Sequence, residues 1–157
     1  MVAAYASAED PAMFKHLLIP TDGSPLSERA ALKGLELART LGARVTALHV
    51  SPRFHVITYR AEMLEDSRDE YERDSRLHAE RYLDFVAKAA AQAGVACDTV
   101  RQVGDDVYRS IIEVATDKSC DAISMASHGR RGVAGVLLGS QTQHVLTHSV
   151  IPVVVWR

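Results

Sequence analysis

Four of the nine glycines in this 157-residue chain crowd into eleven residues near its carboxyl end. They are Gly129, Gly132, Gly135 and Gly139, and Ser140 follows the last of them. A glycine-rich loop that leads into a helix presents backbone N–H groups and the positive end of the helix dipole, which suit a phosphate group. The pattern therefore predicts a phosphate-binding loop. The alternative is a flexible surface loop whose Ser140 only caps a helix.

The side chains in this loop also suit an anion. Arg130 and Arg131 add positive charge, and Ser140 offers a hydroxyl. The loop is not a P-loop, because the sequence contains no Gly-Lys-Ser or Gly-Lys-Thr. It is not the dinucleotide fingerprint either, since those glycines follow the first strand of a βαβ unit and not the fourth.

A second candidate segment lies near the amino end, where Pro20-Thr21-Asp22-Gly23-Ser24 follows an apolar run. Asp22 could face a ligand at this point. It could equally be a turn residue, because Asp-Gly is a common turn pair. Both interpretations stay open from the sequence.

Two other patterns suggest chemistry but are incomplete. Ser127 and His128 resemble a nucleophile elbow that lacks its first glycine, yet neighbours in sequence are not thereby positioned as a Ser–His pair. His144 and His148 are one helical turn apart, as two metal ligands would be, but no third ligand is evident. We favour helix-surface histidines, and we predict neither catalytic nor metal-binding residues.

Alternating apolar stretches and helical periodicity must position these segments. The pattern predicts strands over 14–20, 44–50, 95–103, 121–126 and 150–156, the third of them at an edge. Helices are predicted from the Ser24-Pro25 cap to Gly42, from Leu64 to Gly94, over 107–115, and from Ser140, where Ser-x-x-Gln has the form of a capping box.

This alternation predicts an α/β fold: a single doubly wound domain with a five-stranded parallel sheet, four helices and the strand order 3-2-1-4-5. Ligands bind such sheets at the carboxyl ends of the strands, where the order reverses. Both candidate segments follow strands that meet at that point, namely strands one and four. We therefore expect the site in the cleft between them.

Composition excludes several classes of protein. The net charge of −2 argues against a general nucleic-acid binder, and no apolar run approaches the roughly 18 residues that a membrane helix needs. Cys97 and Cys120 form no zinc motif, and a disulfide between them stays open. Residues 1–12 lack the features of a secretory signal, so we expect a loose amino-terminal arm, one domain over 13–157 and a cytosolic protein.

From about Phe14 to Trp156 the sequence resembles the universal stress protein family. The resemblance is strongest in Met125-Ala-Ser-His-Gly-Arg-Arg-Gly-Val-Ala-Gly-Val-Leu-Leu-Gly-Ser140 and in the segment from His148 to Val155. The segments at 20–24 and 48–50 are also typical. The ATP-binding branch of the family carries G-x2-G-x9-G-[S/T], whose second and third glycines correspond to Gly129 and Gly139, followed by Ser140.

The resemblance implies an ATP site, with Mg²⁺ accompanying the phosphates. The phosphates would be surrounded by Gly129, Arg130, Arg131, Gly132, Gly139, Ser140, Gln141 and Thr142, and the candidate set also includes Ala126 and His128. The adenosine half would contact Pro20, Thr21 and Asp22, with Val50 and Met125 at the adenine or ribose.

One position departs from the family pattern, because Ala126 stands where the first glycine would be. If that position needs a left-handed backbone, alanine costs roughly 1–2 kcal/mol. If it is still strand-like, the extra methyl group only crowds the ligand slightly. Its place at a strand end favours the second case.

The resemblance also implies a homodimer through the last strand, Val150 to Trp156. We therefore expect a nucleotide-gated stress-response or signalling module with slow ATP hydrolysis at most. The alternative is a dimeric interaction protein of the same fold that has lost nucleotide binding.

Overall fold

A computed structural model of the chain describes residues 13–55, 62–129 and 138–157. Strands and helices alternate along it. In chain order they are β1 (His16–Pro20), α1 (Pro25–Leu41), β2 (Arg44–Ser51), α2 (Glu62–Ala93), β3 (Cys97–Val103), α3 (Val107–Asp117), β4 (Ala122–Ala126), α4 (Ser140–His148) and β5 (Val153–Trp156). The amino-terminal arm predicted over residues 1–12 lies outside the described residues.

The strands form one parallel sheet in the order β3-β2-β1-β4-β5. Leu17 of β1 is in register with Val45 of β2 on one side and with Ala122 of β4 on the other. The predicted α/β fold, its four helices and its strand order are confirmed. The order of strands reverses between β1 and β4, so the loops that follow these two strands meet at the carboxyl edge of the sheet.

Residues at the ends of α1 account for its length. Ser24 is the N-cap residue, with its side chain accepting a hydrogen bond from the Ser27 amide at 3.2 Å, and Pro25 is the first helical residue. Gly42 ends the helix in a left-handed conformation with φ of 64°. Both ends are as the sequence predicts.

The sheet is covered by helices on both faces. One apolar cluster packs α1 and α2 against β1, β2 and β4 around Leu35, Val86 and Leu17. The other packs α3 and α4 against the opposite face around Ile111 and Val145. Because β1 is covered on both faces, its apolar residues read as a continuous run and not as an alternation.

Four strands begin later than predicted: β1 at His16, β3 at Cys97, β4 at Ala122 and β5 at Val153. The last strand begins at Val153 and not at Val150, whose residue surface is 97% exposed. Ser149 accounts for the difference, because its hydroxyl bonds both the amide and the carbonyl of Ile151 and so forms a local turn. The third strand begins at Cys97, two residues late, because the amide of Val95 still bonds the Ala90 carbonyl at the end of α2.

Candidate functional site

The loop after β1 is held in place by hydrogen bonds from two neighbouring elements. The amide of Thr21 donates to the carbonyl of Leu48 in β2 at 2.8 Å, and Nδ1 of His49 lies 2.9 Å from the carbonyl oxygen of Thr21. The Thr21 hydroxyl also lies 3.1 Å from the hydroxyl of Ser27 in α1. Thr21 is therefore buried, and its side chain anchors the loop.

Asp22 joins this loop to the one after β4. Its Oδ1 accepts a hydrogen bond from the Ser24 amide at 2.9 Å, which is the turn role that its sequence context suggests. Its Oδ2 lies so close to Gly129 that any Cβ on that residue would overlap it. The carboxylate therefore lies in the cleft between the ends of β1 and β4.

The loop after β4 is closed at its base. The Thr142 hydroxyl donates to the carbonyl of Ala126 at 3.0 Å, and the amide of Gly139 donates to the carbonyl of Ser127 at 2.8 Å. A Cβ added at Gly139 would lie 3.0 Å from the Cα of His128. The two ends of the loop thus pack backbone against backbone, and this close approach accounts for a glycine at 139.

Ala126 is the last residue of β4, and it pairs with Trp156 of β5. Of the residues that the structure describes, only Ser119 has a positive φ without being glycine. The backbone at Ala126, where the family pattern has a glycine, is therefore extended, and alanine there carries no backbone strain.

The capping box predicted at Ser140 is wrong. Gly139 is the N-cap of α4, with φ of −70° and ψ of 157°, and Ser140 is the first helical residue. Because glycine has no side chain, no side-chain cap satisfies the first amides of this helix. The exposed Ser140 hydroxyl and these amides are available at the edge of the cleft, as an anion site requires.

Gln141 and Thr142 have structural partners. The side-chain oxygen of Gln141 accepts a hydrogen bond from the Tyr108 amide at 3.0 Å, so it satisfies a first-turn amide of α3. Asp106, the N-cap residue of α3, makes no side-chain capping bond. Thr142 is buried and, as described above, bonds the end of β4.

The remaining candidate residues divide between the cleft and the core. Pro20 ends β1 and is half-buried, and Val50 is half-buried near the end of β2 against the α3–α4 face. Met125 is only 6% exposed and belongs to the core of that same face. Three further candidates, Arg130, Arg131 and Gly132, lie outside the described residues.

Ser127 and His128 do form a hydrogen bond, with 3.1 Å between Oγ and Nδ1. Ser127, however, is 1% exposed, so its hydroxyl cannot reach a substrate. In a Ser–His–Asp triad the serine bonds Nε2, while an acid orients Nδ1. The arrangement here is therefore not that of a serine hydrolase.

Two other features are absent from the described residues. Among those residues, there is no group of three or more His, Cys, Asp or Glu side chains that could hold a metal ion. The same part of the chain has no helix that is long and apolar enough to cross a membrane.

Sequence reasoning missed the residues that support the β1 loop from beneath. Gly23 has φ of 73°, and its Cα faces the ring of Tyr82, leaving no room for a side chain. His49 lies edge-on to the same ring, with 5.2 Å between centroids, and also contacts Thr21 as described above. The signal available was that His49 lies at the carboxyl end of β2, beside the cleft.

The fold and the cleft thus define a small doubly wound α/β protein with a glycine-bounded site at its topological switch point. The sequence profile of the universal stress protein family matches residues 13–157, and the chain belongs to this family.

Universal stress protein MJ0531 of Methanocaldococcus jannaschii is 31% identical over 143 residues, covering 91% of this chain and 82% of that protein. Universal stress protein MJ0577 of the same organism is 30% identical over 155 residues, covering 91% and 94%. The solved structure of MJ0577 is similar to this one with a TM-score of 0.74 at 27% identity, covering 91% of this chain and 95% of that one.

Two solved structures of the same fold contain nucleotides. One is a universal stress protein in complex with cAMP, with a TM-score of 0.69 at 22% identity, covering 92% of this chain and 98% of that one. The other is a family protein from Arabidopsis thaliana with AMP bound, with a TM-score of 0.63 at 20% identity, covering 90% of each chain.

Proposed function

We propose that this protein binds ATP, together with Mg²⁺, in the cleft between the ends of β1 and β4, and that it acts as a nucleotide-dependent stress-response or signalling module. The observation that carries the proposal is the contact between the Asp22 carboxylate and Gly129. This contact brings the β1 loop and the glycine-rich segment to the two sides of one cleft at the switch point of the sheet.

The amino end of α4 fits the phosphate half of such a ligand. The helix starts without a side-chain cap, so its first amides and the exposed Ser140 hydroxyl can donate to phosphate oxygens. Arg130 and Arg131 would supply compensating positive charge from the same segment of sequence. The AMP and cAMP bound in two structures of this fold support a nucleotide as the ligand of this cleft.

The adenosine half would lie toward β1 and β2, against Pro20, Thr21 and Val50. Mg²⁺ prefers oxygen ligands, and the phosphates together with the Asp22 carboxylate would provide them. ATP binding would place negative charge at the helix amino terminus and would order the two loops against each other.

Slow hydrolysis at most is expected from the side chains of the cleft. Asp22 and His128 are the groups there that could take a proton from water. Asp22 already bonds the Ser24 amide, and His128 already shares a hydrogen bond with Ser127. A general base must be positioned on its water, and in this structure both groups are engaged with protein partners instead.

The alternative of a protein that has lost nucleotide binding rests on Ala126, which stands in place of the first glycine of the family pattern. Since Ala126 is extended, its methyl group adds bulk but no backbone strain. We therefore expect Ala126→Gly to change ATP affinity little. A large gain in affinity in this variant would favour the interaction protein.

The test is direct measurement of nucleotide binding. Purified protein is denatured, its supernatant is chromatographed for ATP, ADP and AMP, and the nucleotide-free protein is titrated with ATP and Mg²⁺ by calorimetry. Ser140→Ala should weaken ATP binding by about tenfold through the loss of one hydrogen bond to a charged group. Thr147→Ala, which removes an exposed hydroxyl from the other end of α4, is the matched control and should bind as wild type.

A double variant, Arg130→Gln with Arg131→Gln, should weaken binding further and reduce its dependence on salt. Its control is Arg29→Gln with Arg39→Gln, two exposed arginines on α1. A protein that carries no nucleotide and also fails to bind ATP with Mg²⁺ would refute the proposal.

A further inference from the structure

The carboxyl half of α4 carries a pair of imidazoles that the proposed ATP site does not use, and that the sequence alone identifies only as surface histidines. His144 and His148 are both exposed, and their ring centroids are 6.0 Å apart. Residues at i and i+4 lie on the same face of a helix, one turn apart. The two rings therefore lie on one exposed face of α4.

The hydrogen bond of His148 determines which of its nitrogens can bind a metal ion. Its Nδ1 lies 2.8 Å from the backbone carbonyl oxygen of His144. A carbonyl oxygen can only accept, so Nδ1 carries the proton and the neutral ring presents the lone pair of Nε2 outward. Metal-binding histidines typically donate their second N–H to a carbonyl or carboxylate in this way.

Tyr108 holds both imidazoles in place from the neighbouring helix α3. Its ring lies edge-on to His144 at 4.9 Å between centroids and is tilted against His148 at 5.1 Å. Side chains that already share one packing site lose less rotamer freedom when a ligand joins them. One cationic side chain, that of Arg109, contacts the same Tyr108 ring, and its Nε lies 3.6 Å from the Asp106 carboxylate, which offsets its charge.

The distance between the rings is close to that of a chelate. A metal ion bound at about 2.1 Å to one nitrogen of each ring would place the centroids roughly 5 Å apart. The rings would need to approach by about 1 Å, which small changes in χ1 within one staggered well can supply. The two rings would be the protein ligands, and water molecules would complete the coordination sphere.

We infer that His144 and His148 form a two-histidine chelate site for a divalent transition-metal ion on the surface of α4, positioned by Tyr108. Imidazole ligands suit Cu²⁺, Ni²⁺ and Zn²⁺ and not Mg²⁺, so this site is chemically distinct from any Mg²⁺ bound with ATP. The affinity should rise from Ni²⁺ to Cu²⁺ in the usual order for nitrogen ligands.

The experiment uses the full chain without a purification tag and Ni²⁺ alone as the probe, which avoids oxidation of the two cysteines. Calorimetry should give one Ni²⁺ per chain for the wild type. His144→Gln and His148→Gln should each weaken binding by about tenfold or more, because a single imidazole cannot chelate. Tyr108→Leu, which leaves both ligands but removes their support, should weaken binding by a smaller factor.

His78→Gln is the matched control, because it removes an exposed histidine from a different helix, α2. It should bind Ni²⁺ as the wild type does. Thermal unfolding gives a second readout: Ni²⁺ should raise the Tm of the wild type and of His78→Gln, and leave that of the His144→Gln, His148→Gln double variant unchanged.

Wild-type affinity for Ni²⁺ in both single histidine variants would overturn the inference, as would loss of binding in His78→Gln or equal binding by the wild type and the double variant. Titration with Mg²⁺ in the absence of nucleotide should give no heat at this site. None of these measurements depends on whether ATP binds.

Discussion

His16 is buried at the amino end of β1, on the edge of the sheet opposite the cleft. Its Nε2 lies 2.8 Å from the Thr46 hydroxyl, while its Nδ1 is buried without a hydrogen-bond partner among the described residues. Burial, together with the positive charge of Arg44, lowers the pKa of this imidazole below its usual 6.5, although Asp121 opposes the shift. The folded protein therefore holds His16 neutral.

This histidine should make stability fall in mild acid. The unfolded chain binds a proton near pH 6.5, and the folded chain binds it only at lower pH, so the free energy of unfolding decreases as pH falls below about 6.5. One proton gives a limiting slope of about 1.4 kcal/mol per pH unit. Urea unfolding at pH 7.5 and 5.5 measures it.

His16→Gln keeps a polar group near Thr46 but does not titrate, so it should lose this part of the pH dependence. His78→Gln removes an exposed histidine and should keep it. An equal acid-induced loss of stability in wild type and His16→Gln would show that His16 is not responsible.

Gly34 lies in the middle of α1, where the helix packs against the sheet. A Cβ there would lie 2.7 Å from the Ser124 hydroxyl oxygen and 2.9 Å from Cδ1 of Ile19. The same hydroxyl accepts a hydrogen bond from Nε1 of Trp156 at 2.8 Å, so it cannot move freely. This glycine is thus required by close packing and not by its backbone conformation.

Gly34→Ala should therefore destabilise the protein even though alanine favours helix. The cost of overpacking, about 1–3 kcal/mol, exceeds the gain in helix propensity of up to about 1 kcal/mol. Urea denaturation measures the net change. The double variant Gly34→Ala, Ser124→Ala should lose less stability than the sum of the losses in the two single variants. A Gly34→Ala protein that is more stable than the wild type would contradict the packing argument.

The two cysteines are free thiols in the described structure, so the disulfide that the sequence leaves open does not form within this chain. Burial raises the pKa of Cys120 to about 11. Burial also raises the pKa of the half-buried Cys97. Both thiols therefore remain protonated near neutral pH, where a thiolate would be needed for reaction.

At the scale of elements, α4 has two ends with different chemistry. Its amino end carries Ser140 and uncapped amides at the cleft, while its carboxyl half carries the imidazole pair. Gln141 and Tyr108 connect it to α3, through a side-chain bond and through ring contacts. A short helix of nine residues thereby faces the cleft with one end and solvent with the other.

The strand β5 is the second edge of the sheet, and its four residues are all half-buried. It pairs with β4 on one side. An apolar edge strand offers unpaired backbone groups to another chain. We propose that two copies of the protein associate through this strand, as the family resemblance implies.

Val154→Lys should convert such a dimer into a monomer, because a charged side chain at an apolar edge opposes strand pairing between chains. Light scattering coupled to size-exclusion chromatography measures the mass. Val103→Lys places the same charge on β3, at the opposite edge, and should leave the dimer intact. A monomeric wild type, or a dimer that survives Val154→Lys, would exclude association through β5.

At the scale of the whole molecule, the proposed site lies at the carboxyl ends of the neighbouring strands β1 and β4, where the strand order reverses. Its two sides come from loops that are far apart in sequence. The loop after β1 leads into α1 on one face of the sheet, and the loop after β4 leads into α4 on the opposite face. A ligand that contacts both loops would link the two halves of the fold. Binding should therefore stabilise the entire domain and not only its loops.

ATP with Mg²⁺ should raise the Tm of the wild-type protein, and the rise should grow with the logarithm of ATP concentration. At 100 times the Kd the stabilisation is about 2.7 kcal/mol, which in a chain of this size corresponds to a Tm higher by roughly 5–10 °C. Differential scanning fluorimetry measures it. Ser140→Ala should need more ATP for the same shift, and Thr147→Ala should not, while an unchanged Tm at saturating ATP would count against the proposed site.

Much of the architecture could be predicted because it depends on residues close together in sequence. The Ser24 and Gly42 caps of α1 act within a few residues, as do the apolar periodicities of strands and helices. The spacing from Gly129 to Gly139, likewise, is a property of one continuous segment. The strand order follows from these alternating elements together with general rules of handedness and strand connection.

Sequence patterns predict the boundaries of elements less accurately where two local signals compete. Ser140 has the sequence of an N-cap, yet the helix starts one residue earlier, because the Gly139 amide bonds back to Ser127 and sets the start of α4. Val150 belongs to an apolar run, yet the Ser149 hydroxyl turns the chain before β5.

The sequence by itself determined the family, the order of the elements and which loops could carry a site. Only the tertiary structure decided that Asp22 meets Gly129, that Gln141 serves α3 across 33 residues of chain, and that Tyr108 gathers two imidazoles. The physical reason is that periodicity and capping depend on neighbours along the chain. Contacts between loops and helices depend instead on how the whole sheet packs its two helical layers.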